Sequence, residues 1–174
     1  MLDKIQARVW KFGDGINSDL ILPGHAIYKP IAEQRKFVFE ANRPGWAGQV
    51  QPGDVIVAGT DFGVGSGRPT PRVLKDVGIA VILADSFNGL FFRQCVNFGL
   101  PLMRYAGISG LFEEMDRVEV DFDAWSATNL RTGQRIAATS LPDMLKKTML
   151  TGGVIPFLLS QGYIREATPV RPAR

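Results

Sequence analysis

The residues best suited to chemistry lie in a glycine-rich loop near the middle of the chain. The loop reads FGVGSGR at residues 62–68, with three glycines in five positions and an arginine after them. Successive glycines let backbone N–H groups converge on one point, which makes a site for an anion. The Arg68 guanidinium adds a planar pair of donors that matches a carboxylate or phosphate. We therefore expect Gly65 and Gly67 to line a substrate site.

Ser66 stands at the centre of this loop. A serine hydroxyl is ordinarily a very poor base, but amide dipoles and a neighbouring guanidinium would stabilise its alkoxide. Removal of a proton next to a carboxylate then becomes chemically feasible, and Ser66 and Arg68 are the predicted catalytic residues. The alternative is a tight turn whose glycines supply only backbone freedom, and the residues alone leave both open.

A dinucleotide site is a second alternative for the same loop. Gly63 and Gly65 follow a predicted strand, and Asp85 ends the next strand about 20 residues later, where a ribose-binding acid would stand. Two features count against it. The third fingerprint position carries Arg68, and the prolines of residues 69–71 (PTP) block an earlier helix, although a dinucleotide fold begins its helix inside the loop.

A second polar cluster precedes the glycine loop by more than 40 residues. Residues 17–19 (NSD) are typical of a turn, and they become functional only if the fold brings them beside Ser66. His25, Tyr28 and Lys29 follow in a segment that is either a surface loop or the rim of a substrate site. We carry these three residues forward as candidate substrate contacts.

The scarcest residue types exclude several classes of site. Cys95 is the one cysteine and His25 the one histidine, so an intrachain disulfide and a Cys/His zinc site are both excluded. An iron–sulfur cluster normally takes three or four thiolates, more than this chain has. A hydrolase triad is disfavoured because His25 precedes Ser66 and no Gly-x-Ser-x-Gly motif occurs. Catalysis must therefore use hydroxyls, arginine, lysine and carboxylates, or borrow chemistry from a partner; Cys95 is predicted to be a core residue.

Composition indicates one globular domain. The chain has 174 residues, 45% of them hydrophobic and 21% charged, which suits a single domain over 1–163 with a flexible tail at 164–174. A net charge of +3 without a dense basic block is weak support for nucleic-acid binding. No apolar run approaches a membrane span, and the first residues lack a signal-peptide layout. We expect a cytoplasmic protein.

Hydrophobic patterning predicts an α/β domain with some parallel pairing, because strands and helices alternate in its centre. The predicted strands are 4–11, 20–22, 54–58, 79–84, 100–103, 117–122, 127–130 and 134–138, the last two joined by a hairpin turn at 131–133. The predicted helices are 30–41, 71–77, 87–97, 141–150 and 154–162. Thr70 and Ser86 are the expected caps of two of them, and Gly78 and Gly99 are their expected ends. In the helix over 30–41, Ile31, Phe37 and Val38 are the expected buried positions.

Several motifs in order resemble the swivelling domain of the aconitase family. Residues 62–68 are similar to that family's Phe-Gly-x-Gly-Ser-Ser-Arg-Glu, and residues 17–23 (NSDLILP) to its Asp-Thr-Asp-x-Ile-x-Pro. Segments 74–79, 86–93 and 97–102 also follow that family. In length and motif order the chain resembles the family of 3-isopropylmalate dehydratase small subunits, up to about Tyr163.

The resemblance implies a three-layer α/β swivelling domain (β/β/α) that works as one subunit of a hydro-lyase on a 2-hydroxy di- or tricarboxylate. In that family a large subunit carries a [4Fe–4S] cluster, a Lewis acid for the substrate, so this chain is expected to bind no cofactor or metal. By the resemblance, Ser66 would move the proton, Arg68 would bind a carboxylate and Asp19 would hold the substrate-side loop. The expected partners are the large subunit and a small hydroxy-dicarboxylate, with no nucleic acid and no membrane.

Some positions depart from the family pattern. Gly67 replaces a second serine, Pro69 replaces a glutamate, and residues 17–19 replace Asp-Thr-Asp. Residues 25–29 (HAIYK) stand where the specificity loop begins with Arg-Tyr-Leu. The expected base and arginine are present while the substrate-reading positions differ, which favours dehydratase or isomerase chemistry over leucine biosynthesis itself. An inactive homologue that binds only a carboxylate or a partner stays open as an alternative.

Overall fold

The computed structural model describes residues 4–65 and 67–166. These residues form a mixed seven-stranded sheet in the order β4-β3-β2-β1-β5-β6-β7. The strands are β1 Lys4–Lys11, β2 Val55–Ala58, β3 Val81–Ala84, β4 Leu102–Arg104, β5 Arg117–Asp121, β6 Ser126–Asn129 and β7 Arg135–Ala137. The α-helices are α1 Ser18–Ile21, α2 Gly24–Ile27, α3 Ile31–Gln34, α4 Thr70–Val77, α5 Gly89–Phe98, α6 Asp143–Leu150 and α7 Val154–Ser160. Short 3-10 helices cover Arg35–Phe37, Trp46–Gly48 and Ile108–Leu111.

Strands β1 to β4 form a parallel half-sheet, as the alternation of strands and helices predicted. Every residue of β2 and β3 is buried, which explains why both read as continuous apolar runs. The connecting helices α4 and α5 end at Gly78 and Gly99, which both take positive φ angles, as predicted. Helices α4 to α7 pack against one another, so the parallel half-sheet is accompanied by a helical layer.

Strand β1 also belongs to an antiparallel half-sheet. Its residues Lys4 to Arg8 pair with β5, whereas Val9 to Lys11 pair with β2, so one strand serves both halves in succession. Strands β5, β6 and β7 form an antiparallel meander, and the predicted turn at 131–133 joins β6 to β7. Two half-sheets and a helical layer confirm the predicted α/β class.

The N-terminal third differs most from the prediction. The predicted strand at 20–22 is instead the short helix α1, because the Asn17 side chain accepts a hydrogen bond from the Leu20 amide at 2.9 Å and caps a helical turn. The predicted helix over 30–41 stops after α3 and one 3-10 turn, since Val38 is extended and Phe39 has a φ of 56°. Val38 is buried as predicted, but Ile31 is 43% exposed.

Two predicted helix caps are also wrong. Thr70 is the first residue of α4 rather than its cap. Helix α5 begins three residues after Ser86, because Asn88 accepts a hydrogen bond from the Leu90 amide at 2.9 Å. The Ser86 hydroxyl instead accepts a hydrogen bond from the Asp61 amide at 2.8 Å. Ser86 therefore fastens the glycine-rich loop rather than a helix.

An aromatic cluster attaches the segment before β2 to β1. Phe12 and Phe39 have ring centroids 4.2 Å apart, and Phe39 meets the Trp46 ring edge-on at 4.8 Å. Trp10 meets Trp46 in the same way at 5.6 Å. All four rings are buried, so the chain from Phe39 to Trp46 is anchored against Trp10 and Phe12 at the end of β1.

Candidate functional site

The glycine-rich loop leaves the carboxyl end of β2, between the segments that follow β1 and β3. Parallel strands present their carboxyl ends at one edge of a sheet, so these three segments meet there. The Gly63 amide donates a hydrogen bond to the Ile16 carbonyl at 2.7 Å, and the Phe62 amide donates to the Ser86 carbonyl at 3.1 Å. The loop is thus fastened on both sides.

Residues 59–63, which lead into the loop and begin it, cannot contribute to an anion nest. Their five successive amides all donate to protein oxygens, the acceptors being Gly13, Asp14, Ser86 and Ile16. Gly63 has a φ of 85°, and a Cβ there would lie 2.1 Å from Cγ of Phe91. Gly63 is therefore required for close packing against α5, and only amides after Gly63 remain for a substrate.

The cluster at residues 17–19 does lie beside this loop. The Ser18 amide donates to the Val64 carbonyl at 2.7 Å. Gly65 has a φ of 121°, and a Cβ at that position would lie 2.5 Å from Oγ of Ser18. The two segments touch because Gly65 has no side chain. Ser66, the predicted base, lies outside the described residues.

Arg68 connects the loop to the segment after β1. Its Nη1 donates to the Leu22 carbonyl at 2.8 Å and forms an ion pair with Asp19. The Arg68 side chain is 17% exposed, while that of Asp19 is 66% exposed. Both contacts use Nη1, and neither Nε nor Nη2 has a hydrogen-bond partner among residues 4–65 and 67–166. The arrangement fixes the guanidinium through Nη1, and a carboxylate bound by two parallel hydrogen bonds would use the Nε–Nη2 edge.

The other candidate substrate contacts are not gathered around Arg68. His25 pairs with Glu40 at 3.3 Å and meets the Phe37 ring edge-on at 5.3 Å, and the Lys29 ammonium lies 5.1 Å from the centre of the same ring. Tyr28 is 92% exposed. These three residues lie on α2 and the turn after it, in residues 25–29, here called the rim segment, and α2 begins two residues after Leu22, which Arg68 binds.

Gly67 faces helix α5. A Cβ at Gly67 would lie 3.8 Å from Nε2 of Gln94 and from Cδ2 of Leu90, which is ordinary van der Waals distance. Gln94 and the Leu22 carbonyl therefore belong to the site, although the sequence analysis singled out neither. A carbonyl carries no signal in the residue types, and Gln94 reads as one more polar position on an amphipathic helix.

The geometry counts against the dinucleotide alternative. Asp85, the expected ribose acid, accepts hydrogen bonds from the Ser109 amide at 3.0 Å and the Ser109 hydroxyl at 2.8 Å. Helix α4 begins at Thr70, after the glycine loop rather than inside it. Asp85 therefore fastens the 3-10 helix after β4, and α4 does not begin inside the loop as that fold requires.

The residues of this chain do not fit an iron–sulfur cluster. Cys95 is fully buried on α5 as the sequence predicted, and burial raises the pKa of its thiol well above the usual range. Within the described part of the chain, no three His, Cys, Asp or Glu side chains are grouped so that they could hold a metal ion. None of the helices in that part is long and apolar enough to cross a membrane.

Known proteins resemble this chain over most of its length. The aconitase C-terminal domain family matches residues 26–106. The chain is 38% identical over 156 residues to the isopropylmalate/citramalate isomerase small subunit of Methanocaldococcus jannaschii, covering 88% of this chain and 93% of that protein. It is also 38% identical over 164 residues to the 3-isopropylmalate dehydratase small subunit 1 of Methanopyrus kandleri, covering 93% and 96%. The chain belongs to the family of 3-isopropylmalate dehydratase small subunits.

The fold supports the same assignment. The crystal structure of a 3-isopropylmalate dehydratase from Methanocaldococcus jannaschii superposes with a TM-score of 0.84 at 27% identity, covering 92% of this chain and 96% of that one. The swivelling-domain class expected from the motifs is thereby confirmed. As a member of this family, the chain is a subunit of an aconitase-family hydro-lyase.

Proposed function

We propose that this chain supplies the proton-transfer and carboxylate-binding groups of a hydro-lyase that removes and readds water on a 2-hydroxy di- or tricarboxylate such as isopropylmalate. The family relationship supports the reaction class. The observation that carries the proposal is the position of Arg68, whose guanidinium is anchored by its Nη1 and keeps the Nε–Nη2 edge for a ligand. Two parallel N–H donors in a fixed plane match the two oxygens of a carboxylate.

Each nearby residue has a role in this scheme. Arg68 binds one substrate carboxylate, and Asp19 and the Leu22 carbonyl hold the guanidinium in place. Gly65 lets the segment around Ser18 pack against the loop, and Gly67 lies against α5, where a Cβ would be at van der Waals distance from Gln94 and Leu90. His25, Tyr28 and Lys29 form the rim from which the rest of the substrate is read.

The proposed chemistry needs one base. Ser66 takes the proton from the carbon next to a carboxylate, the hydroxyl leaves the neighbouring carbon with its bonding electron pair, and a double bond forms between the two carbons. Return of the proton to one of the two carbons and of hydroxide to the other, in either orientation, gives back the hydroxy acid or its isomer. The alkoxide form of Ser66 draws its stability from the Arg68 charge and the amides after Gly63.

The partner completes the enzyme. We propose that a large subunit docks over the edge of the sheet where Arg68 lies and carries a [4Fe–4S] cluster, because Cys95 of this chain is buried and does not suit one. When bound there, the cluster supplies Lewis-acid chemistry at the substrate hydroxyl. Leucine biosynthesis is the pathway that isopropylmalate implies.

Reconstitution with the large subunit tests this function. The two chains are co-expressed, the cluster is rebuilt without oxygen, and hydration of a panel of unsaturated diacids is followed at their ultraviolet absorbance. Wild-type protein should turn over one of them, and Ser66→Ala should lose turnover while the complex still forms, as measured by size-exclusion chromatography. Full activity of Ser66→Ala would end the role of that serine. A stable complex that acts on none of the diacids would favour a chain that only binds.

A further inference from the structure

The rim segment, residues 25–29, is held by side chains of residues that follow α3. His25 pairs with Glu40, and Phe37 lies against both the His25 ring and the Lys29 ammonium. These contacts hold His25 and Lys29, on either side of Tyr28, but the side chains of His25 and Glu40 are half-exposed. The backbone of the rim segment is also held by hydrogen bonds from a buried side chain.

Gln34 makes these hydrogen bonds. Its side-chain amide nitrogen donates hydrogen bonds to the carbonyls of Ile27 and Lys29, both at 3.0 Å. These two carbonyls flank Tyr28, so a single amide group fixes the backbone on both sides of one residue. Gln34 is 5% exposed and lies at the last position of α3, which contacts α4 and the 3-10 helix Arg35–Phe37.

The side-chain oxygen of Gln34 indicates that this residue is not there for the stability of the fold alone. This Oε1 is buried and has no hydrogen-bond partner within the described residues. A buried acceptor without a partner costs free energy, and an apolar side chain of the same size would avoid that cost. What Gln34 contributes in return is the geometry of the backbone around Tyr28.

The Tyr28 side chain is exposed and does not pack into the core. It is 92% exposed, although the backbone on both sides is held. Tyr28 stands one helical turn beyond Gly24, roughly 6 Å along the axis of α2. A Cβ built on Gly24 would lie 3.9 Å from Nη2 of Arg68, so the held segment starts at the arginine of the site.

We propose that Gln34 is a positioning residue for substrate selectivity: its amide clamps the Ile27 and Lys29 carbonyls and so holds Tyr28 at a set distance from Arg68. This inference rests on the proposed function. With Arg68 binding one carboxylate, the clamped Tyr28 limits the size of the substituent that the bound hydroxy-diacid can carry. Gln34 itself touches no substrate.

Two variants of equal size remove the clamp. Gln34→Met keeps the volume and loses both hydrogen bonds, and Gln34→Glu places an acceptor against two carbonyls. Gln49→Met is the matched control, because Gln49 also donates a hydrogen bond to a backbone carbonyl, that of Gly45 at 3.4 Å, in a loop away from the rim. Circular dichroism establishes that each variant is folded before it is used.

The first measurement needs no catalysis. Chymotrypsin cuts after exposed tyrosines whose backbone can open, and the 75% exposed Tyr163 serves as an internal reference in the same digest. Cleavage of the full chain after Tyr28 should accelerate about tenfold in both Gln34 variants, while cleavage after Tyr163 and the whole pattern of Gln49→Met stay unchanged. Equal cleavage rates after Tyr28 in wild type and both folded variants would overturn the clamp.

The second measurement uses the reconstituted two-subunit enzyme. Two hydroxy-diacids that differ in the size of one alkyl group are compared by kcat and KM. Gln34→Met should reduce the ratio of their kcat/KM values by about tenfold through KM, with kcat within about twofold, since loss of positioning changes binding more than chemistry. An unchanged ratio in an active Gln34→Met enzyme refutes the inference alone, whereas a wild-type complex without turnover refutes the proposed function and leaves the digest to decide the clamp.

Discussion

Replacement of Arg68 by lysine tests whether the Arg68 guanidinium binds a substrate carboxylate. Arg68→Lys keeps the positive charge and much of the length, but one ammonium cannot bond the Leu22 carbonyl, pair with Asp19 and also present two parallel donors to a carboxylate. Loss of one hydrogen bond to a charged group is worth about 1.5–3 kcal/mol. We therefore expect kcat/KM for the hydroxy-diacid to fall roughly 10- to 150-fold.

The effect on folding should be much smaller. Asp19 is mostly exposed, so its ion pair with Arg68 is worth about 0–1 kcal/mol, and the lysine can still reach one of the two protein acceptors. The midpoint of thermal unfolding should drop by only about 2–4 °C for a chain of this size. Arg72→Lys on the exposed face of α4 is the control for the substitution itself.

The assay is steady-state hydration by the reconstituted complex, with complex formation measured in parallel. A kcat/KM of Arg68→Lys within about twofold of the wild-type value corresponds to a change of no more than about 0.4 kcal/mol. That result would refute the carboxylate-binding role of Arg68. A loss of activity matched by an equal loss in Arg72→Lys would point to damage of the complex instead.

Two further outcomes follow from the described contacts. Gly63→Ala should destabilise the fold by about 3 kcal/mol or more, because its Cβ would overlap Phe91 at a strained φ, whereas Gly110→Ala, with open space around it, should be neutral in the same thermal melt. The Arg131 guanidinium and neighbouring donors hold the pKa of Asp116 well below its usual range, so its contribution to stability is full above about pH 4 and declines as the pH falls further. Urea unfolding between pH 6 and pH 2 should give a shallower decline for Asp116→Asn, and equal slopes for the two proteins would contradict this account.

The parallel half of the fold was predictable because its signals are local. Residues 54–58 and 79–84 are uninterrupted apolar runs, and Gly78 and Gly99 end the helices between the strands. The hairpin turn at 131–133 carries a glycine at a positive φ, as a tight turn requires. In each case one short stretch of sequence contains both the pattern and the residue that ends it.

The N-terminal third was less predictable because tertiary contacts decide it. Helix α1 forms where an apolar triplet suggested a strand, since Asn17 caps it and Ser18 is bound to the glycine loop. The helix expected over 30–41 breaks at Val38 and Phe39, where the Phe39 ring turns into the aromatic cluster with Phe12 and Trp46. Burial of large rings outweighs helix propensity here.

The candidate site was predicted in its parts and not in its connections. The motifs identified Arg68 and Asp19, but nothing in the residue types indicated that the two side chains pair with each other. His25 and Lys29 were named as candidate substrate contacts, and the contact that each makes with the Phe37 ring was not foreseen. Gln34 was missed because a buried glutamine near the end of a short helix has no sequence pattern of its own.

Strand β1 sets which side chains point inward in both halves of the sheet, because it pairs with β5 and with β2. Its first five residues and its last three face different neighbours, and side chains along any strand point alternately to opposite sides. One extra residue between Arg8 and Val9 would turn the inward-facing side chains of one half of β1 to the outer surface of the sheet. The side chains of the other half would keep their orientation. The alignment of the meander with the sheet edge where Arg68 lies is therefore set by the number of residues in strand β1.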